Sequence, residues 1–157
     1  METTAQHINK QVEDSSTGEI ILLNTCTRDA ITTFPSMREM YDNGYSKYIP
    51  ESGALNEIEL LLKGKTITIV LGTWCGDSRE QLPHFLKTTD ASSLDKKDIN
   101  FICVDRTKKA ENGLLENLNI DRVPTFIIYE DEKELGRIIE KPIISIEEDL
   151  ALILSKN

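Results

Sequence analysis

A single cysteine at the predicted start of a helix is the residue of this chain best suited to chemistry. Cys75 lies in the stretch Ile67–Pro83 (ITIVLGTWCGDSREQLP), where an apolar, β-branched run stops at Gly72 and a helical pattern follows. Backbone N–H groups at a helix N-terminus point at whatever lies there and favour its anionic form. Because thiolates rather than thiols are nucleophiles, Cys75 is the candidate nucleophile.

Three polar neighbours bear on the charge of that sulfur. The hydroxyl and backbone N–H of Ser78 are candidate donors to a Cys75 thiolate. The carboxylate of Asp77 disfavours a second negative charge close by, although a carboxylate is itself favoured in the first turn of a helix. Arg79 is a candidate to offset Asp77, so the sequence leaves the sign of the net effect open.

Two other cysteines and one histidine have both a chemical and a structural interpretation. In the predicted strand Ile99–Val104, Cys103 is a candidate resolving thiol, but a strand cysteine is more often a small buried hydrophobe. Cys26 has a weaker claim to a redox role. His84 is either a proton shuttle or a partly exposed residue on a helix surface, and the second interpretation is favoured.

Composition excludes several classes of function. The 157 residues fit one domain, and a net charge of −9 without basic clusters makes nucleic acid and anionic membranes poor partners. No apolar run approaches the roughly 18 residues of a membrane span. Three cysteines suggest neither a disulfide framework nor a zinc site, and no metal or cofactor is expected. The polar first residues lack the apolar region of a secretory signal, which predicts a cytoplasmic protein.

The elements that must position Cys75 follow from hydrophobic periodicity. We predict a flexible tail over residues 1–17, a mostly helical extension packed on the core over 18–64, and the main domain over 65–157. Tyrosines 41, 45 and 48 share a helix face and are expected to pack that extension on the domain rather than stack a ligand. The domain is predicted to contain a buried strand, helix, strand, helix, antiparallel hairpin and final helix: Lys65–Leu71, Cys75–Thr88, Ile99–Val104, Lys108–Leu118, Thr125–Tyr129 with Leu135–Ile139, and Ser145–Leu154.

The motifs of this domain resemble the thioredoxin superfamily. The segment Trp74-Cys75-Gly76-Asp77-Ser78 follows a buried strand, Pro83 comes eight residues after the cysteine, and Val123-Pro124-Thr125-Phe126 opens the hairpin. The resemblance covers about Lys65 to Leu154 and implies an α/β thioredoxin-like fold, a central mixed sheet with helices on both faces. It also implies that Cys75 is the nucleophile and Trp74 the aromatic flank of the site.

The same resemblance implies where a substrate would bind. Pro124 is expected to be a cis-proline that faces the cysteine, and the backbone of Val123 is expected to pair with an extended peptide. Gly76 and Asp77 complete the expected substrate-binding residues.

Two departures from the family pattern change the expected activity. Ser78 stands where the family usually has a second cysteine, so a mixed disulfide at Cys75 lacks the usual internal attack that releases it. The strand Lys65–Leu71 contains no acid, whereas the family often has a buried carboxyl there. Both departures disfavour ordinary dithiol cycling.

The sequence therefore predicts a redox protein of monothiol type. Cys75 would form mixed disulfides with protein or low-molecular-weight thiols and disulfides, and an external thiol would resolve them. A non-catalytic module that holds extended polypeptide in the groove between Trp74 and Pro124 is the alternative. Iron–sulfur ligation by Cys75 with glutathione ranks last, because the tryptophan and the aspartate depart from the monothiol glutaredoxin pattern. Substrate, reductant and oligomeric state are not predicted.

Overall fold

A computed structural model describes residues 8–155 of the chain. Within this range the chain forms six strands and five α-helices, together with a short 3-10 turn at Lys96–Asp98. In chain order they are β1 (Lys10–Glu13), β2 (Ile20–Cys26), α1 (Arg28–Thr32), α2 (Pro35–Lys47), α3 (Ser52–Glu59), β3 (Thr66–Leu71), α4 (Gly76–Asp90), β4 (Ile99–Cys103), β5 (Thr125–Glu130), β6 (Lys133–Ile139) and α5 (Ile146–Leu154). No described helix is long and apolar enough to cross a bilayer.

All six strands form one mixed sheet in the order β1-β2-β4-β3-β5-β6. Strands β3 and β4 are parallel, and every other neighbouring pair is antiparallel. Parallel neighbours end at the same edge of a sheet, so the residues after Leu71 and those after Cys103 leave it side by side. The Trp74-Cys75 motif begins at this edge.

Alternation along the strands divides the core into two clusters. On one face, Ile67, Ile69 and Leu71 pack with apolar residues from all five helices, and the Phe85 and Phe126 rings stack at 4.3 Å. On the other face, Val70 joins a smaller cluster with residues of β4 and of the chain that follows it: Ile102, Val104, Val123, Ala110, Leu114, Leu115, Leu118 and Ile120. Trp74 and Cys75 pack against this smaller cluster.

The predicted helix over Lys108–Leu118 is wrong. Turns occupy this range, with Asn112, Gly113 and Asn117 at φ values of 58°, 70° and 66°. Asparagine and glycine adopt such left-handed conformations at little cost, and their turn preference outweighs the helical spacing of the leucines. The predicted α/β fold with a mixed sheet and helices is confirmed; the described α-helices pack on the face of Ile67, Ile69 and Leu71, and turns cover the other face.

The N-terminal part of the chain also differs from its prediction. Within the range predicted as a flexible tail, β1 pairs with β2 and brings Val12 opposite Ile21; residues 1–7 lie outside the described range. Residues 18–64 contain three helices, and they also supply strand β2, which pairs with β4 as part of the sheet. Strand β2 belongs to the sheet because both of its faces are apolar: Ile21 and Leu23 face one side, Leu22 faces the other, and all three are buried.

Tyr41 and Tyr45 of α2 pack the N-terminal part of the chain against α4. Arg28 donates to both carboxylate oxygens of Asp90, at 2.8 and 2.5 Å, and the Tyr45 hydroxyl donates to the same group at 2.6 Å. Burial raises the pKa of Asp90, but the donors from Arg28 and Tyr45 outweigh it, and the pKa lies below its usual 3.8. Gly44 allows a close approach here, because a Cβ at that position would lie 2.7 Å from Pro83 Cγ.

Candidate active site

Cys75 is the N-cap residue of α4 and faces the loop that precedes β5. Its backbone is extended (φ −93°, ψ 124°), and its thiol is partly exposed and donates to the carbonyl oxygen of Val123 at 3.5 Å. The Val123–Pro124 peptide bond is cis, and both residues are buried. The structure thus brings Cys75, Val123 and Pro124 together across a distance of 48 residues in sequence.

Ser78 lies under the cysteine turn rather than on its surface. It is fully buried, and its hydroxyl oxygen accepts the Gly72 N–H at 3.2 Å. In the described residues, the hydrogen-bond partner of the Cys75 thiol is Val123 and not Ser78. The serine therefore connects the end of β3 to the first turn of α4.

The ion pair near the cysteine differs from the expected one. Asp77 lies 3.7 Å from Lys141 Nζ, whereas Arg79 donates its Nε–H to the Thr73 carbonyl oxygen at 2.9 Å. Lys141, not Arg79, is thus the cation that offsets Asp77. Gly76 is exposed, with open space where a side chain would begin.

Trp74 forms a fixed wall beside the cysteine. Its indole N–H donates to the Val104 carbonyl oxygen at 2.9 Å, and Gly72 lies directly against the ring. The Arg106 guanidinium lies 5.5 Å from the ring centroid, within the range of a cation–π contact. Arg106 is in turn paired with Asp14 and, at 2.9 Å, with Glu19.

The remaining candidates are not brought to the cysteine. Cys103 lies in the larger core cluster beside Cys26, whereas Cys75 packs against the smaller cluster. A hydrogen bond with Cys26 and complete burial raise the pKa of Cys103. His84 stacks on Tyr48 with ring centroids 4.3 Å apart, and burial lowers its pKa.

Several contacts of the cysteine turn were missed at the sequence level. Ser36 at the start of α2 donates its hydroxyl to the Thr73 carbonyl oxygen at 3.0 Å, across 37 residues of sequence. No local pattern indicates such a contact. Arg106 was detectable in principle, because it follows β4 as Trp74 follows β3, and parallel strands end at the same edge.

A polar cavity of about 310 Å³ lies next to the cis-proline loop. Arg122, which is paired with Glu140 at 3.2 Å, forms part of its wall. The other lining residues come from the preceding turn and from β5 and β6: Asn119, Asp121, Thr125, Arg137 and Ile139. No group of three or more His, Cys, Asp or Glu side chains between residues 8 and 155 is arranged to hold a metal ion.

The chain is similar in sequence to a thioredoxin-domain protein. Thioredoxin domain-containing protein 2 of Rattus norvegicus is 25% identical over 126 residues, which is 80% of this chain. The chain spans 22% of the length of that relative. No protein-family model matches the chain.

Two solved structures share the fold at low sequence identity. A protein of unknown function from Pseudomonas aeruginosa is 14% identical and superposes with a TM-score of 0.57, over 99% of this chain and 96% of the other. An HIV epitope-scaffold is also 14% identical, with a TM-score of 0.56 over 78% and 84% of the two chains.

Proposed function

The chain has a thioredoxin-like fold and is homologous to the thioredoxin superfamily, and from this premise we propose that it exchanges thiols and disulfides through Cys75 alone. The observation that carries the proposal is the position of the sulfur. Cys75 is the N-cap residue of a 15-residue helix, and its partly exposed thiol lies 3.5 Å from the carbonyl oxygen of the residue before a cis-proline. Helix N–H groups stabilise a thiolate at such a position.

The exchange has two balanced steps. The Cys75 thiolate attacks one sulfur of a disulfide, a new S–S bond forms at Cys75, and the other sulfur leaves as a thiolate that takes up a proton. An external thiolate then attacks the mixed disulfide and restores Cys75. Over the two steps, one half of the disulfide passes to the external thiol and the other half leaves as a free thiol. The number of disulfide bonds is therefore unchanged, and no external oxidant or reductant is needed.

The surroundings of Cys75 support a monothiol mechanism. Ser78 has no sulfur to offer, and its hydroxyl is already engaged with Gly72. Cys26 and Cys103 are buried in the other core cluster. An external thiol is therefore the chemically available means of release.

The groove around the sulfur supports an extended polypeptide or a small disulfide as the substrate. Trp74 and Pro124 form its walls in this proposal, and the backbone of Val123 pairs with the substrate. Gly76 leaves space above the first turn of α4, and Asp77 lies at the rim. A reducing compartment such as the cytoplasm would keep the three cysteines free, as they are in the structure.

Covalent capture tests the proposal. The protein is incubated with excess bis(2-hydroxyethyl) disulfide, and tryptic peptides are examined by mass spectrometry for the mercaptoethanol adduct. We expect an adduct on Cys75 in the wild type and in the control variant Cys26→Ala, none in Cys75→Ala, and loss of the adduct on addition of glutathione. A folded wild-type protein without an adduct on Cys75 would refute the proposal. An unfolded polypeptide bound equally well by wild type and Cys75→Ala, without an adduct, would favour the binding-module function.

A further inference from the structure

The turn that carries Cys75 is held by residues from the N-terminal part of the chain. The Thr73 carbonyl oxygen accepts two hydrogen bonds, one from Ser36 at 3.0 Å and one from Arg79 at 2.9 Å. The Thr73 hydroxyl oxygen also accepts the Leu22 N–H at 3.5 Å. Because Thr73 is fully buried, loss of one of these donors is not readily replaced by water.

Trp74, the next residue, is held from the same side. Arg106 covers its ring, and Asp14 and Glu19 of the β1–β2 hairpin hold the guanidinium. The Asp14 side chain is only 8% exposed, so this pair is better shielded from solvent than an ordinary surface pair. The Asp14 carboxylate accepts the backbone N–H of Ser16, and this bond, together with the contacts to Arg106, lowers the pKa of Asp14 although desolvation opposes it.

We infer that the N-terminal segment Lys10–Lys47 helps to position the Cys75 thiol. Ser36 of this segment acts directly and Arg106, which Asp14 and Glu19 of the segment hold, acts through Trp74, so both are positioning residues for Cys75. This inference rests on the proposed function. Ser36 fixes the peptide plane of Thr73, and Arg106 fixes the side chain of Trp74. Thr73 and Trp74 are the two residues immediately before Cys75, so the orientation of the Cys75 sulfur depends on how each of them is held.

The chemistry of the sulfur makes this positioning matter. The Cys75 N–H donates to the Gly72 carbonyl oxygen at 3.0 Å, which closes a tight turn from the end of β3 into α4. Rotation of the Thr73 peptide plane would move the sulfur relative to the N–H groups of the first helical turn. Reaction rates are sensitive to displacements of about 1 Å, so small rotations are expected to lower the reactivity of the thiolate.

The first test removes the Ser36 hydroxyl. The rate of alkylation of Cys75 by iodoacetamide is measured as a function of pH for Ser36→Ala and for the control Ser46→Ala. Ser46 lies on the same helix, and its exposed hydroxyl bonds only to the Asn43 carbonyl oxygen, at 3.2 Å. We expect Ser36→Ala to lower the rate near neutral pH by about threefold to tenfold, and Ser36→Thr to restore most of it.

The second test removes the cation over the indole. Trp74 is the only tryptophan of the chain, so acrylamide quenching of intrinsic fluorescence reports on this side chain alone. We expect Arg106→Gln to raise the quenching constant about twofold and to slow the alkylation of Cys75. Arg38→Gln is the matched control, because the Arg38 side chain is 69% exposed and its Nε lies 4.0 Å from the nearer carboxylate oxygen of Asp42, which is a weak surface pair.

The outcomes separate this inference from the proposed function. Iodoacetamide alkylates a thiol whether or not the protein exchanges disulfides, so a failed mercaptoethanol adduct leaves these rate measurements interpretable. Rates and quenching that match the two controls would overturn the inference. So would variants with a lowered melting temperature but an unchanged rate profile, because the contacts would then serve only stability.

Discussion

Replacement of Gly72 by alanine should displace the indole of Trp74. A Cβ at this position would lie 2.6 Å from Nε1 and 2.7 Å from Cζ2 of the ring, far inside the roughly 3.5–4.0 Å of normal carbon contacts. The ring would have to move by about 1 Å, which breaks its 2.9 Å hydrogen bond to the Val104 carbonyl oxygen. Gly72 does not have a positive φ, so its backbone conformation suits alanine.

The expected loss of stability follows from three contributions. The broken hydrogen bond costs about 1 kcal/mol and the crowding about 1–3 kcal/mol, whereas alanine restricts the unfolded chain and returns about 0.4–1 kcal/mol. The free energy of unfolding should therefore fall by about 1–3.6 kcal/mol. Gly76→Ala is the matched control, because nothing lies within 4 Å of its added Cβ at the start of α4. It should leave stability unchanged or raise it by up to about 1 kcal/mol.

Urea unfolding monitored by circular dichroism measures the stability of both variants. The fluorescence emission maximum of Trp74 reports directly on the displacement of the ring, and we expect a shift to longer wavelength in Gly72→Ala alone. If Gly72→Ala were as stable as the wild type and kept its emission maximum, the indole would not be confined between Gly72 and Val104 as described.

Three further predictions concern other parts of the molecule. Asp90→Asn should lower the free energy of unfolding by about 1–3 kcal/mol near pH 7. Because the pKa of Asp90 is lowered in the folded state, its ion pair with Arg28 stabilises the fold above about pH 4, and this stabilisation is lost as the pH falls through the folded-state pKa. Urea titrations near pH 2.5 should therefore show a smaller difference between Asp90→Asn and the wild type. Asn24→Ala should lower the free energy of unfolding by about 2–4 kcal/mol, because Asn24 has a φ of 72° and exchanges hydrogen bonds of 3.0 and 2.9 Å with Glu111. Asn24→Gly should lower it less, because glycine adopts a positive φ freely. Equal melting temperatures for the two variants would contradict the role of the positive φ. Ellman's reagent should label Cys75 alone in the native protein and all three thiols in guanidinium chloride, since the other two cysteines are at most 4% exposed; two fast thiols in the native protein would contradict this burial.

The sequence predicted the elements whose signals are local. The β-branched run before Gly72 was sufficient for β3, and the spacing of Leu82, Phe85 and Leu86 was sufficient for α4. The two runs separated by a charged turn were sufficient for the β5–β6 hairpin. In each of these elements, local propensity and tertiary burial favour the same conformation.

The errors occurred where these two influences diverge. Between Lys108 and Leu118, three leucines have helical spacing, but the asparagines and Gly113 determine the backbone. The assignment of Lys10–Glu13 to a tail failed for a different reason: this polar strand has no apolar pattern of its own, and its partner β2 determines its conformation.

The positions of the candidate site residues were more predictable than the contacts that hold them in place. The motif identified Cys75 and its neighbours, and the structure brings Cys75 to Val123 and Pro124. The contacts of Ser36, Arg106 and Lys141 join residues that are 32 to 92 positions apart. The contacts of Ser36 and Lys141 have no signature in a single sequence, whereas the place of Arg106 follows only from the parallel pairing of β3 and β4.

The turns that cover the second face of the sheet have a consequence for amide hydrogen exchange. Backbone hydrogen bonds between residues 105 and 118 are isolated turn bonds, such as Leu114 N–H to Glu111 and Leu118 N–H to Leu115, each spanning three residues. Isolated bonds open one at a time, whereas those of α4 open together with the core. Amides of this segment should therefore exchange with deuterium long before those of α4. Cys75 is the N-cap residue of α4 and packs against the apolar side chains of this segment, so the packing beneath the thiol can open while α4 stays folded.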